Sequence, residues 1–193
     1  MIRRERVLEI LKEADVLMEG HFLLASGKHS EKYLQCAKIF RHTKYSEELC
    51  KDIAEQFKDE QIDVVVGPAM GAVQMAYEVS RHVNVENFFT EREDGIMKFR
   101  RGFEIKEGMR CLLVEDVVTT GGSIREVIEL VQKAGGVVVG LGSIVDRTGG
   151  KIDFGVPYKS VIAVDVQSWE ANDCPICKEG KIPVIKPGSS KVK

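Results

Sequence analysis

What the sequence lacks narrows the field first. No apolar run in its 193 residues reaches the roughly 18 to 20 that a membrane span requires. The opening "MIRRERVLEILKEADVL" carries charges through its apolar stripe, unlike the core of a signal peptide. A soluble, cytoplasmic protein is the expectation. An excess of one charge is also missing. Against 30 Asp and Glu stand 28 Lys and Arg, a formal net charge of -2, which offers no broad electrostatic footprint for nucleic acid or an acidic membrane. Any anion site must therefore be local. Cysteines are few and odd in number: Cys36, Cys50, Cys111, Cys174 and Cys177 lie mostly in apolar segments, a poor disulfide framework that suits a reducing compartment. There is no internal repeat, long linker or low-complexity tract, and a chain of this length is expected to bury one core in one domain.

What is present is a repeated rhythm. Val7, Ile10, Leu11, Ala14 and Met18 recur at helical spacing, predicting an amphipathic helix from about residue 3 to 18. "EGHFLLASGKHSEKYLQCAKIF" breaks that pattern with Gly20, Gly27 and polar residues, as short strands joined by a turn would. A second helix is predicted from Tyr45 to Phe57. Then "IDVVVGPAMGAVQMAYEVSRHV" reads as strand 62–66, loop 67–71 and a helix from about Ala72. "MRCLLVEDVVTTGGSIREVIELVQKAGG" reads as strand 110–115, loop 116–122 and a helix stopped by Gly135 and Gly136. "VVVGLGSIVDR" and "SVIAVDV" add strands without alternation, as expected where both faces of a sheet are covered. The fold class is α/β with a mostly parallel sheet, whose ligand sites lie at the carboxyl ends of its strands. "TEREDGIMKFRRGFEIKE", from Thr90 to Glu107, stands outside the rhythm as a long basic excursion, and "DCPICKEGKIPVIKPGSSKVK" reads as a peripheral strap with a frayed basic tail.

The stretch "CLLVEDVVTTGGSIREVIELV" holds the chemistry. After strand 110–115, the backbone of Thr119, Thr120, Gly121 and Gly122 enters a helix whose first N–H groups have no intrahelical partner. Small residues let an anion approach those groups, and the helix dipole favours negative charge there. It is neither a Walker loop, since no Lys-Ser/Thr pair closes it, nor a dinucleotide G-x-G-x-x-G. A plainer reading takes Ser123 and Glu126 as a capping box. That reading leaves Glu115 and Asp116 unexplained, because adjacent carboxylates ending an apolar strand cost desolvation and repel each other. Ribose hydroxyls, or a positive centre developing during reaction, would compensate them.

"LLVEDVVTTGGS" resembles the phosphoribosyl pyrophosphate (PRPP) signature of the type I phosphoribosyltransferases. "EGHFLLASGKHSEKYLQC" is similar to the N-terminal substrate segment of the orotate phosphoribosyltransferases, "VVVGPAMGA" to their pyrophosphate loop and "SIVDRTGG" to their orotate-binding Arg segment. These pieces follow the family's order and span nearly the whole chain. The resemblance implies a type I phosphoribosyltransferase fold, a mostly parallel central sheet flanked by helices, with a small hood from the N- and C-terminal segments. One domain is expected over 1–193, with its core at about 45–166, the N-terminal helix and hood at 1–44 and a strap at 167–193.

By the same resemblance, Glu115 and Asp116 would hold the ribose hydroxyls, and Val117, Val118, Thr119, Thr120, Gly121, Gly122 and Ser123 would cradle the 5-phosphate. Thr119 and Arg147 would contact orotate, whose carboxylate a guanidinium can bind through two parallel hydrogen bonds. The competing reading of Arg147 is an ion pair with Asp146. Arg92, Lys98, Arg100 and Arg101 would belong to a mobile loop, 91–106, that closes over the neighbouring subunit's active site in a homodimer. Its competitor is a solvated charged hairpin. Arg92 and Lys98 join Glu115 and Asp116 as the expected catalytic set. Mg²⁺ is expected on the pyrophosphate, held mainly by substrate oxygens and water. The chain departs from the family's pattern in having no His after His82, no Lys in "GPAMGA", and Ala25 where some members place a Lys; Lys28 is expected to supply the replacement charge near orotate.

The implied reaction joins orotate and PRPP to give orotidine 5'-monophosphate and pyrophosphate in pyrimidine biosynthesis. The alternatives are a phosphoribosyltransferase for another base and a PRPP-binding regulator without catalysis. Cys174-Pro175-Ile176-Cys177 has the spacing of half a zinc site, but no second pair accompanies it and no His has ligand-like spacing with it. No metal ligands are therefore expected among the side chains, and the pair reads as part of a structural strap, with metal sharing between subunits as the minor alternative.

Overall fold

In the computed structural model, which describes residues 1–24, 26–164 and 166–187, short antiparallel strands at the N-terminus precede an alternation of parallel strands and helices. Ala25 and the basic tail expected after residue 187 lie outside the described residues. Helix α1 (Arg4–Glu13) buries Val7, Ile10 and Leu11. It ends earlier than its apolar spacing predicts, because Asp15 takes a left-handed φ of 52° and redirects the chain. Met18 thus falls in strand β1 (Leu17–Leu23), opposite Tyr33 of β2 (His29–Leu34). A 3-10 turn (Cys36–Arg41) leads into α2 (Thr43–Gln56).

The main sheet then forms in sequence. Strand β3 (Val64–Pro68) feeds α3 (Val73–Val83) and returns as β4 (Glu86–Glu93), to which β5 (Ile96–Phe99) adds antiparallel. Strand β6 (Arg110–Val118), α4 (Gly122–Lys133), β7 (Val137–Asp146) and β8 (Tyr158–Ala163) complete it. The order is β5-β4-β3-β6-β7-β8, with every neighbouring pair parallel except β4 with β5. Alternate strand residues bury opposite faces. Val65, Leu112 and Val114 join one core with residues of α1, α2 and α3, whereas Val64, Val66, Cys111 and Leu113 join another with Ile124, Val127 and Val131 of α4. Burial on both sides explains why these strands read as unbroken apolar runs.

The sheet winds outward in both directions from β3 and β6, so their carboxyl ends flank a topological switch point, the crevice where open α/β sheets bind ligands. The strap after β8 returns to the N-terminal hairpin. Trp169 exchanges two 2.8 Å backbone hydrogen bonds with His29, and Ile185 bonds through its backbone to His21 and Leu23. Short helix α5 (Pro175–Glu179) lies between those ties. The first part of the segment expected as a long excursion is sheet, as β4 and β5 pair from Thr90 with Phe99 to Glu93 with Ile96 around a tight turn at Asp94 and Gly95, and residues 100–107 then run without strand or helix.

Candidate active site

Strand β6 runs three residues beyond its predicted end, because its pairing with β7 continues through Glu115 with Ser143, Val117 with Val145 and Val118 with Asp146. Glu115 and Asp116 are therefore held on a rigid strand, and the loop shrinks to Thr119, Thr120 and Gly121. Gly121 precedes the first turn of α4 at a φ of 74°, and an added Cβ would sit 2.6 Å from the Phe154 ring. Both facts require glycine here. No side chain caps α4 among the described residues, and Glu126 instead pairs with Arg92 at 2.6 Å. The capping-box reading of Ser123 and Glu126 is thus overturned: the left-handed glycine starts the helix, leaving its first N–H groups directed at the loop.

Residues 115–124 line a cleft of about 250 Å³. Thr119, Thr120, Gly122 and Ser123 are exposed in it, while Asp116 is only 7 % exposed. Burial pushes the Asp116 carboxyl up to about 6, although the Val117 N–H donates to its Oδ1 at 2.9 Å and opposes the rise. Glu115 is raised further above the usual carboxylate range, by burial first and by the Asp116 charge second. Two acids that resist ionisation in this cleft fit a ligand bringing hydroxyl donors or positive charge.

The β3 side of the crevice closes on the same acid. The Ala69 N–H donates to the Thr90 carbonyl at 2.7 Å, anchoring the loop after β3. Gly71 in that loop lies so near Asp116 that a Cβ would meet both carboxylate oxygens at 2.9 Å. Reading the sequence links "GPAMGA" to the site only through resemblance; the contact itself becomes visible when β3 and β6 are paired.

Arg147 follows β7, and its N–H donates to the Val118 carbonyl at 2.8 Å, fixing it beside the cleft. It makes no ion pair with Asp146. That carboxylate is 1 % exposed and accepts hydrogen bonds from Thr148 and Gly150, closing the turn after the strand. The Arg147 Nε is buried with no hydrogen-bond partner among the described residues, and burial lowers its pKa. The charge of Arg147 opposes the burial-driven rise at Tyr33 and at Cys36, and Asp116 acts on both with the opposite sign. Tyr33 of β2 thus lies within electrostatic reach of both Arg147 and Asp116. Reading the sequence missed its part, although it stands within the segment "SEKYLQC".

The remaining cations are placed differently. Lys28 pairs with Glu170 at 3.3 Å in the hood, so the expected replacement charge is engaged by the strap. Arg92 is on β4, bidentate to Glu126; Lys98 pairs with Glu93; Arg100 pairs with Glu91 and Glu93; Arg101 pairs with Glu91. The structure gathers Glu115 to Ser123, Gly71 and Arg147 around the crevice but holds these four cations in an ion-paired hairpin on the neighbouring edge.

Comparisons with known proteins agree with this geometry. Residues 37–172 match the family model of the phosphoribosyl transferase domain. The orotate phosphoribosyltransferase of Caldanaerobacter subterraneus subsp. tengcongensis is 57% identical over 191 residues, covering 99% of this chain and 100% of that one. Its counterpart in Thermotoga maritima is 50% identical, covering 97% and 100%. Among solved structures, the orotate phosphoribosyltransferase of Aeropyrum pernix shares the fold with a TM-score of 0.71 at 22% identity, covering 82% of this chain and 93% of that one. The chain belongs to the phosphoribosyltransferase family and, within it, to the orotate phosphoribosyltransferases.

Proposed function

We infer that this chain transfers the ribose 5-phosphate group of PRPP to orotate, forming orotidine 5'-monophosphate and releasing pyrophosphate in pyrimidine biosynthesis. The observation that carries this reading is the Arg147 guanidinium with its unpartnered buried Nε, set beside the acid pair by the bond to Val118. A partly buried guanidinium is destabilised by leaving its Nε–H unpartnered, and a planar carboxylate ligand would remove that cost through paired hydrogen bonds. A neutral purine would not.

The anomeric carbon of PRPP loses its bond to pyrophosphate and gains one to a ring nitrogen of orotate, whose proton passes to the released pyrophosphate or to solvent. The exposed Thr119, Thr120, Gly122 and Ser123 support binding of the 5-phosphate, with α4 contributing its unpaired N–H groups. Glu115 and Asp116 then face the ribose hydroxyls, and their carboxylate charge is favoured as the ring gains positive character. Glu115 and Asp116 offer hard oxygen atoms beside which a Mg²⁺ bound mainly through the substrate would sit, and it would supply charge neutralisation to the leaving group.

Loop cations 92, 98, 100 and 101 serve the leaving pyrophosphate once their side chains swing away from Glu91, Glu93 and Glu126, and closure excludes water. Exposed Ile96, Met70 and Tyr77 on or beside this edge favour a homodimer in which the hairpin meets a second subunit. No helix among the described residues is long and apolar enough to cross a membrane, in keeping with a cytoplasmic enzyme. The direct test is loss of orotate absorbance in the presence of PRPP and Mg²⁺, beside a panel of purine bases. Orotate should be consumed and purines left; the reverse pattern would remove the reading.

A further inference from the structure

Outside the cleft, side chains from two distant segments converge where the strap crosses the hood. His21 and His29 come from the N-terminal hairpin, Cys174 and Cys177 from α5 and the residue before it. His21 points inward because the register of β1 against β2 slips between Glu19 and Phe22, so that two consecutive residues, His21 and Phe22, are both buried. A bulge re-aims a side chain in this way. The strap is tied on both sides of the cluster, through Ile185 to His21 and through Trp169 to His29.

The protonation of His21 can be read from its neighbours. Its Nδ1 lies 3.0 Å from the Ile182 carbonyl oxygen, which only accepts, so Nδ1 carries the proton and Nε2 presents a lone pair. That Nε2 lies 2.8 Å from His29 Nδ1 and 3.5 Å from both Cys174 Sγ and Cys177 Sγ; Cys177 Sγ is 3.2 Å from His29 Nδ1. All four ligand atoms fall within 4.8 Å of one another. With metal–nitrogen bonds of about 2.0 to 2.1 Å and metal–sulfur bonds of about 2.3 Å, the edges of a tetrahedral site run from about 3.3 to 3.8 Å. The observed separations scatter around those lengths. Hydrogen bonding alone satisfies the two histidines but leaves two thiols crowding a lone pair that one donor already uses.

We propose that His21, His29, Cys174 and Cys177 form a tetrahedral Zn²⁺ site that fastens the C-terminal strap to the hood. Two thiolates and two imidazoles are the donor set of structural zinc, and the Ile182 carbonyl orients His21 as carbonyls orient zinc-bound imidazoles. All four ligands belong to one chain, so no sharing between subunits is needed. The site escapes reading by spacing because its halves lie about 150 residues apart and His21 turns inward only through the bulge. Its role is to close a long loop, holding the hairpin that carries Tyr33. This proposal stands whether or not orotate is the substrate.

Elemental analysis of the protein, purified without added metal, should find one zinc per chain. Cobalt reconstitution should give thiolate charge-transfer bands and the intense d–d spectrum of tetrahedral coordination. Stripping the metal with a strong chelator should lower Tm by on the order of 10 °C, reversed by adding zinc. Cys177→Ser, at an exposed position, should remain folded and bind zinc at least about 10-fold more weakly, with His29→Gln as the second variant. Metal-free protein whose Tm is indifferent to chelator and zinc, a Cys174–Cys177 disulfide in reduced preparations, or full zinc retention by both variants would each overturn the proposal.

Discussion

The α-carbon of Gly71 rests against the carboxylate of Asp116, close enough that a methyl group there would stand 2.9 Å from both oxygens. The contact joins the loop after β3 to the acid at the end of β6, the two walls of the switch-point crevice. Both are backbone-anchored, Asp116 by strand pairing and the loop by Ala69 on Thr90, so neither yields without moving catalytic geometry. Gly71→Ala should therefore lower kcat/KM for PRPP by roughly 100-fold, the cost of about 1 Å of misplacement, while unfolding stability falls by only about 1 to 3 kcal/mol. Steady-state kinetics beside thermal melts separate the two effects; unchanged kinetics would mean that this contact does not position the acid.

Asp116 should oppose stability and activity to each other. Its carboxyl rises from 3.8 to about 6 in the folded chain, so the stability associated with the protonated form is present in full below about pH 3.8 and is lost as pH climbs through 6. Above that, the ionised group costs about 3 kcal/mol, the free-energy equivalent of the rise from 3.8 to about 6. Asp116→Asn removes the ionisation. Without ligand at pH 7.5, the variant should melt roughly 6 to 12 °C above the parent, with the gap narrowing toward pH 4, while turnover drops by about 100-fold or more. Melting curves across pH check the first half and orotate consumption the second. A variant less stable than the parent at pH 7.5 would contradict the burial argument.

The legible parts of the molecule were those in which residue pattern and local geometry coincide. "IDVVV" and "RCLLVE" read as buried strands because both sheet faces are covered, and the small residues after them marked the crevice, although pairing carries both strands further. Errors arose wherever a distant partner decided the outcome. Met18 continued the helical spacing, yet a left-handed Asp15 and pairing with Tyr33 put it in a strand. Ser123 and Glu126 had capping spacing, yet Gly121 starts the helix and Arg92, 34 residues away, takes Glu126. The basic segment after Thr90 stood outside the strand–helix rhythm, and its ion pairs with Glu91, Glu93 and Glu126 show only once β4, β5 and α4 are placed. The cluster of His21, His29, Cys174 and Cys177 was invisible to spacing for the same reason.

Arg147 should separate the two substrates. Its Nε lacks a hydrogen-bond partner among the described residues, and burial depresses its pKa, which leaves that N–H to an incoming anion. Arg147→Lys keeps the charge but loses the planar fork. The orotate KM should rise by roughly 10- to 100-fold, the worth of one charged hydrogen-bonded contact, with the PRPP KM changed by less than about threefold. Arg147→Ala should be worse for orotate and still bind PRPP. Equal losses for both substrates would assign Arg147 to general folding of the β7 end, not to recognition of the base.

Arg92 and Glu126 offer the test of the hairpin. They form a bidentate pair with both side chains about two-fifths exposed, at 43 % and 41 %, so screening leaves the pair worth less than about 1 kcal/mol. A structural clasp and a parked catalytic cation respond oppositely to loss of the acid. If Arg92 must leave Glu126 to reach pyrophosphate, Glu126→Gln releases it, and kcat should hold or rise while Tm shifts by no more than about 4 °C. Arg92→Ala should lower kcat by roughly 10- to 100-fold with the same small change in Tm, because the lost cation stabilises only the departing charge. Lys98→Ala, which leaves Glu93 to Arg100 alone in the same hairpin, should follow Arg92→Ala in direction. Were the cations merely a solvated face, all three variants would turn over at the parental rate, and single-turnover measurements with orotate would show it directly.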